Sequence, residues 1–418
     1  MNILTKIIIF ICFSVILPQK LIIPMDLNQS NHLKAYGLTF WILQKNINVD
    51  WVLNYRGGSF IVDSDDSIVQ ECIIRGITYE TINSKQLIDI YATIEENNMD
   101  IALLEKAPKI AVYSPPGNQP WDDAVTLALT YAEINYDIIF DDEVLTDGLE
   151  KYDWLHLHHE DFTGQYGKFY KNYHNSSWYK KLEFDSNNTA KKFGFKSVHI
   201  LKKNVALKIK EYIVNGGFLF AMCSATDSFD IALASLNVDI ADQVYDQTPI
   251  DPDFMDKINF NNSIAFENYQ IYTNPLTYEY STIDIPPSHK PTTRSAEADY
   301  FTLFEFSAKW DPVPTMLTQN HVNVINGFMG QTTGFNRQFI KKHIVVLGDI
   351  ANDPMVKYLH GNTGKGTFTF LGGHDPEDYR HFVGDPPTDL ALHKNSPGYR
   401  LILNNVLFPA ARKKERKT

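Results

Sequence analysis

The chain has 418 residues, of which 44% are hydrophobic and 21% are charged, and its formal net charge is −12 at pH 7. These values are ordinary for a globular protein with a sizeable core, long enough for two or three domains. With a negative net charge nothing in the composition suggests a nucleic-acid partner, and we expect none.

The N-terminus has the pattern of a secretory signal peptide. Lys6 supplies a positive charge before the apolar run 7–17, which is too short to span a bilayer comfortably. We place cleavage near residues 18–20, so residues 1–19 form the predicted signal and the mature protein is expected to be periplasmic or secreted. The alternative is an uncleaved signal that anchors the protein, which would be its only contact with a membrane.

The chain contains three cysteines. Cys12 lies in the predicted signal, which leaves Cys72 and Cys223. One pair is too few for a disulfide framework, so we expect two unpaired thiols.

Residues 20–105 are predicted to form an N-terminal α/β unit, and residues 106–411 a larger one, followed by a short basic tail at 412–418. Strands alternate with helices in both units, a pattern that indicates parallel sheets with helices on both faces. The larger unit is predicted to be a doubly wound, flavodoxin-like sheet. Two polar and aromatic segments with weak periodicity, near 162–200 and 237–340, are interpreted as insertions.

The predicted elements follow in chain order. In the N-terminal unit we predict strands at 21–25, 49–55 and 78–82, and helices at 31–45, 66–75 and 84–97. In the larger unit we predict strands at 110–114, 137–140, 153–159, 218–222 and 343–350, a hairpin over 357–372, and helices at 121–134, 204–214 and 398–408.

The stretch 216–230, GGFLFAMCSATDSFD, has the pattern of a nucleophile elbow. A buried strand turns sharply at Cys223 into a helix that we expect to begin near Asp227, with Asp227 or Ser228 as its cap. Alanines two positions before and after the thiol supply the small neighbours that such a tight turn needs. The helix amides would point at the thiol and favour its thiolate. The alternative is a buried structural cysteine after a core strand.

A second polar cluster ends the predicted strand 153–159, whose sequence DWLHLHH runs into Glu160. Ligands of doubly wound sheets bind at the carboxyl ends of the strands, where this cluster and the elbow both fall. We therefore predict substrate-binding roles for His158, His159, Glu160, Ser224, Asp227 and Gly373.

A metal site is a further hypothesis. His156 and His158 share one face of the strand and His159 points away from it. Two imidazoles on one face with Glu160, and with His374 from elsewhere, would make a zinc set. Because a His-rich strand end is more often a hydrogen-bonded site wall, we predict no cofactor and keep zinc as the alternative.

Two motifs carry a resemblance to a known superfamily. The Cys223 elbow and the segment His374-Asp375-Pro376-Glu377 resemble class I glutamine amidotransferase-like domains, which have a Gly-x-Cys-x-Gly elbow and a late His-x-Glu. The trehalose-utilisation (ThuA-like) branch of that fold is more similar still. The shared motifs are GGF at 216–218, SATD at 224–227, GKG at 364–366 and LGGHDPE at 371–377. The resemblance covers roughly 109–411 outside the insertions.

The chain also departs from these patterns. Alanines replace the glycines near Cys223, His374 and Glu377 lie three positions apart rather than two, and ThuA-like chains usually carry histidine at the elbow. Similar full-length sequences are often labelled asparagine synthetase B. That activity needs a cysteine as the mature first residue and a Ser-Gly-Gly-x-Asp-Ser loop for ATP, and the sequence supports neither. The resemblance therefore supports the fold of this superfamily more strongly than it supports its catalytic chemistry.

The resemblance implies an exported cysteine-dependent hydrolase or amidotransferase-like enzyme that acts on an amide or related carbonyl of a small molecule. Cys223 would be the nucleophile and His374 the base. Glu377 or Asp375 would orient the imidazole, and the Ser224 amide with one from a neighbouring loop would hold the oxyanion. The alternative is a non-catalytic saccharide- or ligand-binding module of ThuA-like type, in which the thiol and the imidazole only line a pocket.

Overall fold

The computed structural model describes residues 19–117, 119–284 and 295–412. The predicted signal peptide up to residue 18 and the tail beyond Arg412 lie outside these ranges. The strands are β1 Lys20–Ile23, β2 Val49–Leu53, β3 Ser59–Asp63, β4 Glu80–Ile82, β5 Asp100–Leu104, β6 Ile110–Tyr113, β7 Asp137–Ile139, β8 Trp154–Leu157, β9 Phe218–Met222, β10 Tyr300–Leu303, β11 Val324–Asn326, β12 Phe335–Asn336, β13 Val345–Asp349, β14 Met355–Thr363 and β15 Gly366–Leu371. The helices are α1 His32–Gln44, α2 Asp66–Arg75, α3 Ser84–Glu96, α4 Ala124–Ala132, α5 Asp141–Leu145, α6 Tyr170–Tyr173, α7 Ser177–Lys192, α8 Val198–Asn215, α9 Ser224–Ala234, α10 Gln243–Asp246, α11 Phe254–Lys257, α12 Pro312–Leu317 and α13 Pro397–Leu407.

The N-terminal unit is built on an antiparallel sheet, so the prediction of a parallel one is wrong. Its strand order is β4-β1-β3-β2-β5, and each neighbouring pair is antiparallel. The predicted strand 49–55 ends at Leu53, and the unpredicted β3 follows after the short link 54–58. A link this short allows only an antiparallel hairpin, because a parallel crossover needs a dozen or more residues.

The N-terminal unit shares a hydrophobic core with the rest of the chain. Helix α1 packs against α4 and α13. The contact is close, since a Cβ at Gly37 would lie 1.7 Å from the backbone oxygen of Ala132. Arg400 of α13 is fully buried, and its guanidinium donates to the Met25 carbonyl at 2.7 Å and to the Tyr36 hydroxyl at 3.0 Å. Both units are therefore joined by apolar packing and by buried hydrogen bonds.

The second sheet runs in the order β11-β10-β13-β14-β15-β9-β8-β6-β7, and β12 pairs with β14 at one side. The run β15-β9-β8-β6-β7 is parallel and the other pairs are antiparallel. Along β9, Phe218, Phe220 and Met222 join the core that contains α4 and α13. Leu219 and Ala221 join the core that contains α8 and α9. Helices thus cover both faces of the parallel part, and the predicted α/β class is confirmed.

The segment near 237–340, interpreted above as an insertion, contributes to this sheet. It supplies β10 and β11 at the edge, and β12 beside β14. These strands have two to four residues, too few to produce a visible alternation of apolar and polar positions. The segment near 162–200 forms α6 and α7 and leads into α8.

Asp230 of α9 binds the backbone of residues 264–266 and holds it against the core. Its fully buried carboxylate accepts the backbone N–H groups of Ile264, Ala265 and Phe266 at 2.5, 3.0 and 2.7 Å. Burial raises the pKa of Asp230 to about 6, although the three amides act in the opposite direction.

We expect the substitution Asp230→Ala to lower the free energy of unfolding by about 3–5 kcal/mol, because three buried amides lose their acceptor. Urea denaturation followed by circular dichroism measures the change. The matched control is Asp256→Ala in α11, an exposed aspartate that should change stability by no more than about 0.5 kcal/mol. Equal stability of the two variants would contradict the anchoring role.

No helix within the described ranges has the length and apolar character needed to cross a membrane. The apolar run of the predicted signal lies outside those ranges.

Candidate functional site

Cys223 lies at the sharp turn between β9 and α9. Its backbone has φ 49° and ψ −136°, a conformation that is strained for any residue with a side chain. Helix α9 begins at Ser224, earlier than predicted, so Cys223 itself precedes the helix. Asp227 and Ser228 therefore do not cap it. Asp227 is buried in the first turn and accepts a hydrogen bond from the Thr332 hydroxyl at 2.8 Å.

The thiol is enclosed by a loop and an imidazole. Cys223 is 3% exposed, and its Sγ accepts the Gln331 N–H at 3.2 Å. A nitrogen of His374 lies within 4.8 Å of this sulfur. A Cβ at Gly330 would lie 3.0 Å from Sγ and 2.9 Å from the His374 nitrogen of the main chain, so the loop can approach this closely only with glycine there.

The surroundings favour the thiolate. Burial raises the pKa of Cys223, but the hydrogen bond and charge of His374 and the amides of Thr332 and Gln331 outweigh it, so the pKa lies below its ordinary value. Burial lowers the pKa of His374, whereas Asp122 and Cys223 act more strongly together and raise it to about 10. Both shifts favour a thiolate paired with an imidazolium over a neutral thiol beside a neutral imidazole.

Asp122 is the carboxylate that holds this imidazole. Its Oδ1 lies 3.4 Å from Nε2 of His374 and 2.8 Å from Nε2 of His381. Burial would raise the pKa of Asp122, but the two imidazoles hold it well below its usual range. Cys223, His374 and Asp122 thus form a row of thiol, imidazole and carboxylate.

The prediction that Glu377 or Asp375 orients His374 is wrong. Asp375 accepts the Glu377 N–H at 2.9 Å and the Thr388 hydroxyl at 2.7 Å. The Glu377 carboxylate lies 3.0 Å from Nδ1 of His393. The chain turns away immediately after His374. Both carboxylates therefore stabilise the loop that follows and do not orient the His374 ring. Gly373, whose φ is 106°, allows that turn and does not line the cavity described below.

Asp122 was missed because residues 121–134 were interpreted as one helix. The helix begins at Ala124 instead, with Asp123 as its cap. The sequence contains an indication of this site residue, because an Asp-Asp pair directly precedes an apolar helix in the loop that follows a buried strand.

Asp123 links α4 to the histidine strand. Its Oδ1 accepts two amides from the first turn of α4 at 2.8 and 2.9 Å. Its Oδ2 lies 3.2 Å from Nε2 of His156 and 3.3 Å from Nδ1 of His158. Because Nδ1 of His156 also lies 3.1 Å from a carbonyl of β9, both nitrogens of that ring are engaged.

His158, His159 and Glu160 were predicted to bind substrate, and only one of them lines the cavity above Cys223. His159 lines the cavity, and its Nε2 lies 2.7 Å from the backbone oxygen of Asp122. His158 is fully buried, with its ring stacked on that of His159 at 3.9 Å between centroids. Burial lowers the pKa of His158 to about 4 and that of His159 well below its usual range, so both are neutral. Glu160, whose pKa burial raises to about 7, accepts the His158 amide at 3.0 Å and does not reach the cavity.

A cavity of about 300 Å³ opens above Cys223 and Ser224. It is at the lower end of the sizes that hold small molecules. Its aromatic walls are Trp121, Phe169, Tyr173, Tyr278 and Phe382. The exposed Arg380 supplies a positive charge at the rim.

A larger cavity, of about 810 Å³, lies at the amino ends of β8, β9 and β15. Asp153, Gly217 and Gly366, next to or at the start of those strands, line it. No cysteine or histidine is among the described residues that line it. The smaller cavity is therefore the better candidate, because it holds the thiol and the imidazole.

Comparison with known proteins assigns no family. No family model matches the chain, and no curated protein matches it. Two cytoplasmic proteins of Salmonella typhimurium are similar in structure at 13% and 12% identity, with TM-scores of 0.34 and 0.33, over 73% of this chain and 100% of each of theirs. A β-galactosidase from Bacillus circulans is similar at 11% identity with a TM-score of 0.26, over 66% of this chain and 29% of its own. Likenesses at these TM-scores carry no argument about function.

Proposed function

We propose that the protein is a cysteine-dependent hydrolase or amidotransferase-like enzyme that acts on an amide or a related carbonyl of a small molecule. One observation carries the proposal. The Cys223 thiol lies on a strained turn at the floor of a cavity, and His374 and Asp122 follow it in the order of nucleophile, base and orienting acid.

The side chains account for both halves of the reaction. The Cys223 thiolate attacks the carbonyl carbon, and the imidazolium of His374 protonates the leaving nitrogen, which departs as an amine or ammonia and leaves a thioester. His374 is then neutral. It takes a proton from a water molecule while the oxygen of that water attacks the thioester carbonyl, which releases the carboxylic acid and restores the Cys223 thiol. The oxyanion would be held by the Ser224 amide, which donates to no acceptor among the described residues, together with the Gln331 amide, which donates to the Cys223 sulfur at 3.2 Å before the attack.

The strand order supports a class I amidotransferase-like assignment, including the ThuA-like branch. The parallel strands run in the order β7-β6-β8-β9-β15, which corresponds to 2-1-3-4-5, the flavodoxin-like order. The elbow follows the fourth of these strands, and His374 follows the fifth. Both groups thus lie at the carboxyl edge, where such sheets bind ligands. From the signal-like pattern of the N-terminus we propose that the protein acts in the periplasm or outside the cell.

The second candidate is a non-catalytic saccharide- or ligand-binding module. The aromatic rings around the cavity favour it, since flat apolar rings flanked by a few polar groups suit the faces of a sugar. In that case the thiol would be a wall of the pocket with no turnover.

The test is a panel of carboxamides, including glutamine and asparagine, together with activated esters. Released ammonia or alcohol measures turnover, and intact-mass analysis of the quenched protein followed by peptide mapping locates any acyl group. We expect turnover of at least one member and a hydroxylamine-sensitive adduct on Cys223. No turnover and no adduct, together with saturable binding of a saccharide in calorimetry, would replace the enzyme by the second candidate.

A further inference from the structure

Three histidines lie around the candidate thiol and form with it a group that could hold a metal ion. Cys223, His158, His159 and His374 each place one ligand atom within 4.8 Å of the others. Imidazole nitrogens and a thiolate are the donors that zinc and similar borderline ions prefer. Catalysis as proposed above uses only the cysteine and one of these imidazoles, so two histidines need another explanation.

The second nitrogen of each ring lies close to an oxygen of Asp122 or Asp123. Nδ1 of His158 lies 3.3 Å from Oδ2 of Asp123. Nε2 of His374 lies 3.4 Å from Oδ1 of Asp122, and Nε2 of His159 lies 2.7 Å from the Asp122 backbone oxygen. Metal-binding histidines almost always have such a carboxylate or carbonyl on the outer nitrogen, which fixes the tautomer and directs the other nitrogen to the ion.

Nε2 of His158 gives the second, independent indication. The side chain is fully buried, and this nitrogen has no hydrogen-bond partner among the described residues. A buried polar atom without a partner is costly, and native proteins seldom keep one without a use for it. An ion between the four side chains would satisfy it.

We propose that His158, His159, His374 and Cys223 bind a single zinc ion, or a similar divalent transition-metal ion, as a Cys-His₃ site. Zinc–nitrogen bonds of about 2.0–2.1 Å and a zinc–sulfur bond of about 2.3 Å put tetrahedral ligand atoms about 3.3–3.7 Å apart. The ligand atoms lie within 4.8 Å of one another in the structure, so those pairs that are farther apart than the tetrahedral separation would move closer when the ion binds. Binding releases the proton shared by the thiol and the imidazole to solvent, because both must bind in deprotonated form.

This ligand set differs from the one suggested by the sequence. Both ring nitrogens of His156 are engaged, and the Glu160 carboxylate accepts a backbone amide, so neither is a ligand. Cys223 takes their place. Since the ion would occupy the sulfur lone pair, metal binding switches off the nucleophile. That regulatory consequence rests on the proposed function, whereas the metal site itself does not.

The first experiment titrates the purified full-length protein with Zn²⁺ against a chromophoric chelator and with Co²⁺ in the spectrophotometer. We expect one ion per chain and a thiolate-to-cobalt charge-transfer band. Cys223→Ala should remove the band and weaken zinc affinity at least about 10-fold. Asp123→Asn keeps the helix cap but loses the charge behind His158, and should weaken affinity about 10- to 100-fold. The control His343→Ala, at an exposed histidine outside the cluster, should change nothing.

The second experiment needs no variant. Zn²⁺ should protect Cys223 of the wild-type protein from iodoacetamide, detected by peptide mapping, and Mg²⁺ should not. Absence of the charge-transfer band, or full alkylation at saturating zinc, would overturn the site. Zinc binding without turnover of any amide would remove the proposed enzyme and leave the site, whereas turnover unaffected by zinc would remove the site and leave the enzyme.

Discussion

Replacing Cys223 with alanine is expected to lower kcat/KM for the hydrolysed amide by about 10⁴- to 10⁶-fold, as loss of a covalent nucleophile does in other hydrolases. The sulfur accepts the Gln331 N–H, and alanine keeps the Cβ at the strained turn, so the free energy of unfolding should change by no more than about 1–2 kcal/mol. The measurement is steady-state kinetics on whichever carboxamide or ester the panel identifies.

The matched control is the other thiol in the described part of the chain. Cys72 is buried in α2, and burial raises its pKa to about 11, so it is an inert neutral thiol. Cys72→Ser should keep turnover within about a factor of two, after correction for the folded fraction. Full turnover by the Cys223→Ala protein would end the covalent mechanism.

Replacing Asp122 with asparagine is expected to lower kcat by about 10³- to 10⁴-fold, because the imidazole loses the carboxylate that fixes its tautomer and stabilises its charged form. The pH dependence should change as well. In the wild-type protein the raised pKa of His374 and the lowered pKa of Cys223 keep the thiolate–imidazolium pair as the pH falls below the ordinary cysteine pKa of about 8.5. Without the Asp122 charge, the pKa of His374 falls and that of Cys223 rises.

The rate of Cys223 alkylation by iodoacetamide between pH 5 and pH 9 measures this change directly. We expect its midpoint to move upward by about one to three pH units in Asp122→Asn. The control is Glu377→Gln, a carboxylate that the sequence motif nominated but that lies beside His393 instead. Its profile should coincide with that of the wild-type protein. If Glu377→Gln shifts the profile and Asp122→Asn does not, the orienting residue has been assigned incorrectly.

The sequence predicts best the elements that produce a long local pattern. The buried strand 218–222, the hairpin of β14 and β15, and the last helix all occur where apolar runs and turn residues indicate them. The antiparallel pairing of the N-terminal strands was not predicted, because alternation of strands and helices does not by itself fix which strands become neighbours. The short strands β10 to β12 were not predicted because a strand of two to four residues has almost no period.

The candidate site was predicted in part for the same reason. The thiol at a strand-to-helix turn and the imidazole after a late strand have local signatures, and the structure brings them together. Asp122 and His374 are separated by 252 positions, so no spacing rule relates them. The sequence motif instead suggested the neighbours Asp375 and Glu377. Only the arrangement of the parallel strands places the loop after β6 beside the loop after β15, through β8 and β9 between them.

The packing of α1 has a consequence for how this protein can be dissected. Asp122 and Asp123 directly precede helix α4, and Asp123 caps it. The apolar residues of α4 pack against α1. Cutting the chain near residue 105 would leave α4 and α13 without their apolar cover and the buried Arg400 without its carbonyl partner in the first unit. The first hundred residues thus stabilise the position of α4 and, through it, of Asp122 and Asp123. A fragment that begins at residue 106 would lose this stabilisation.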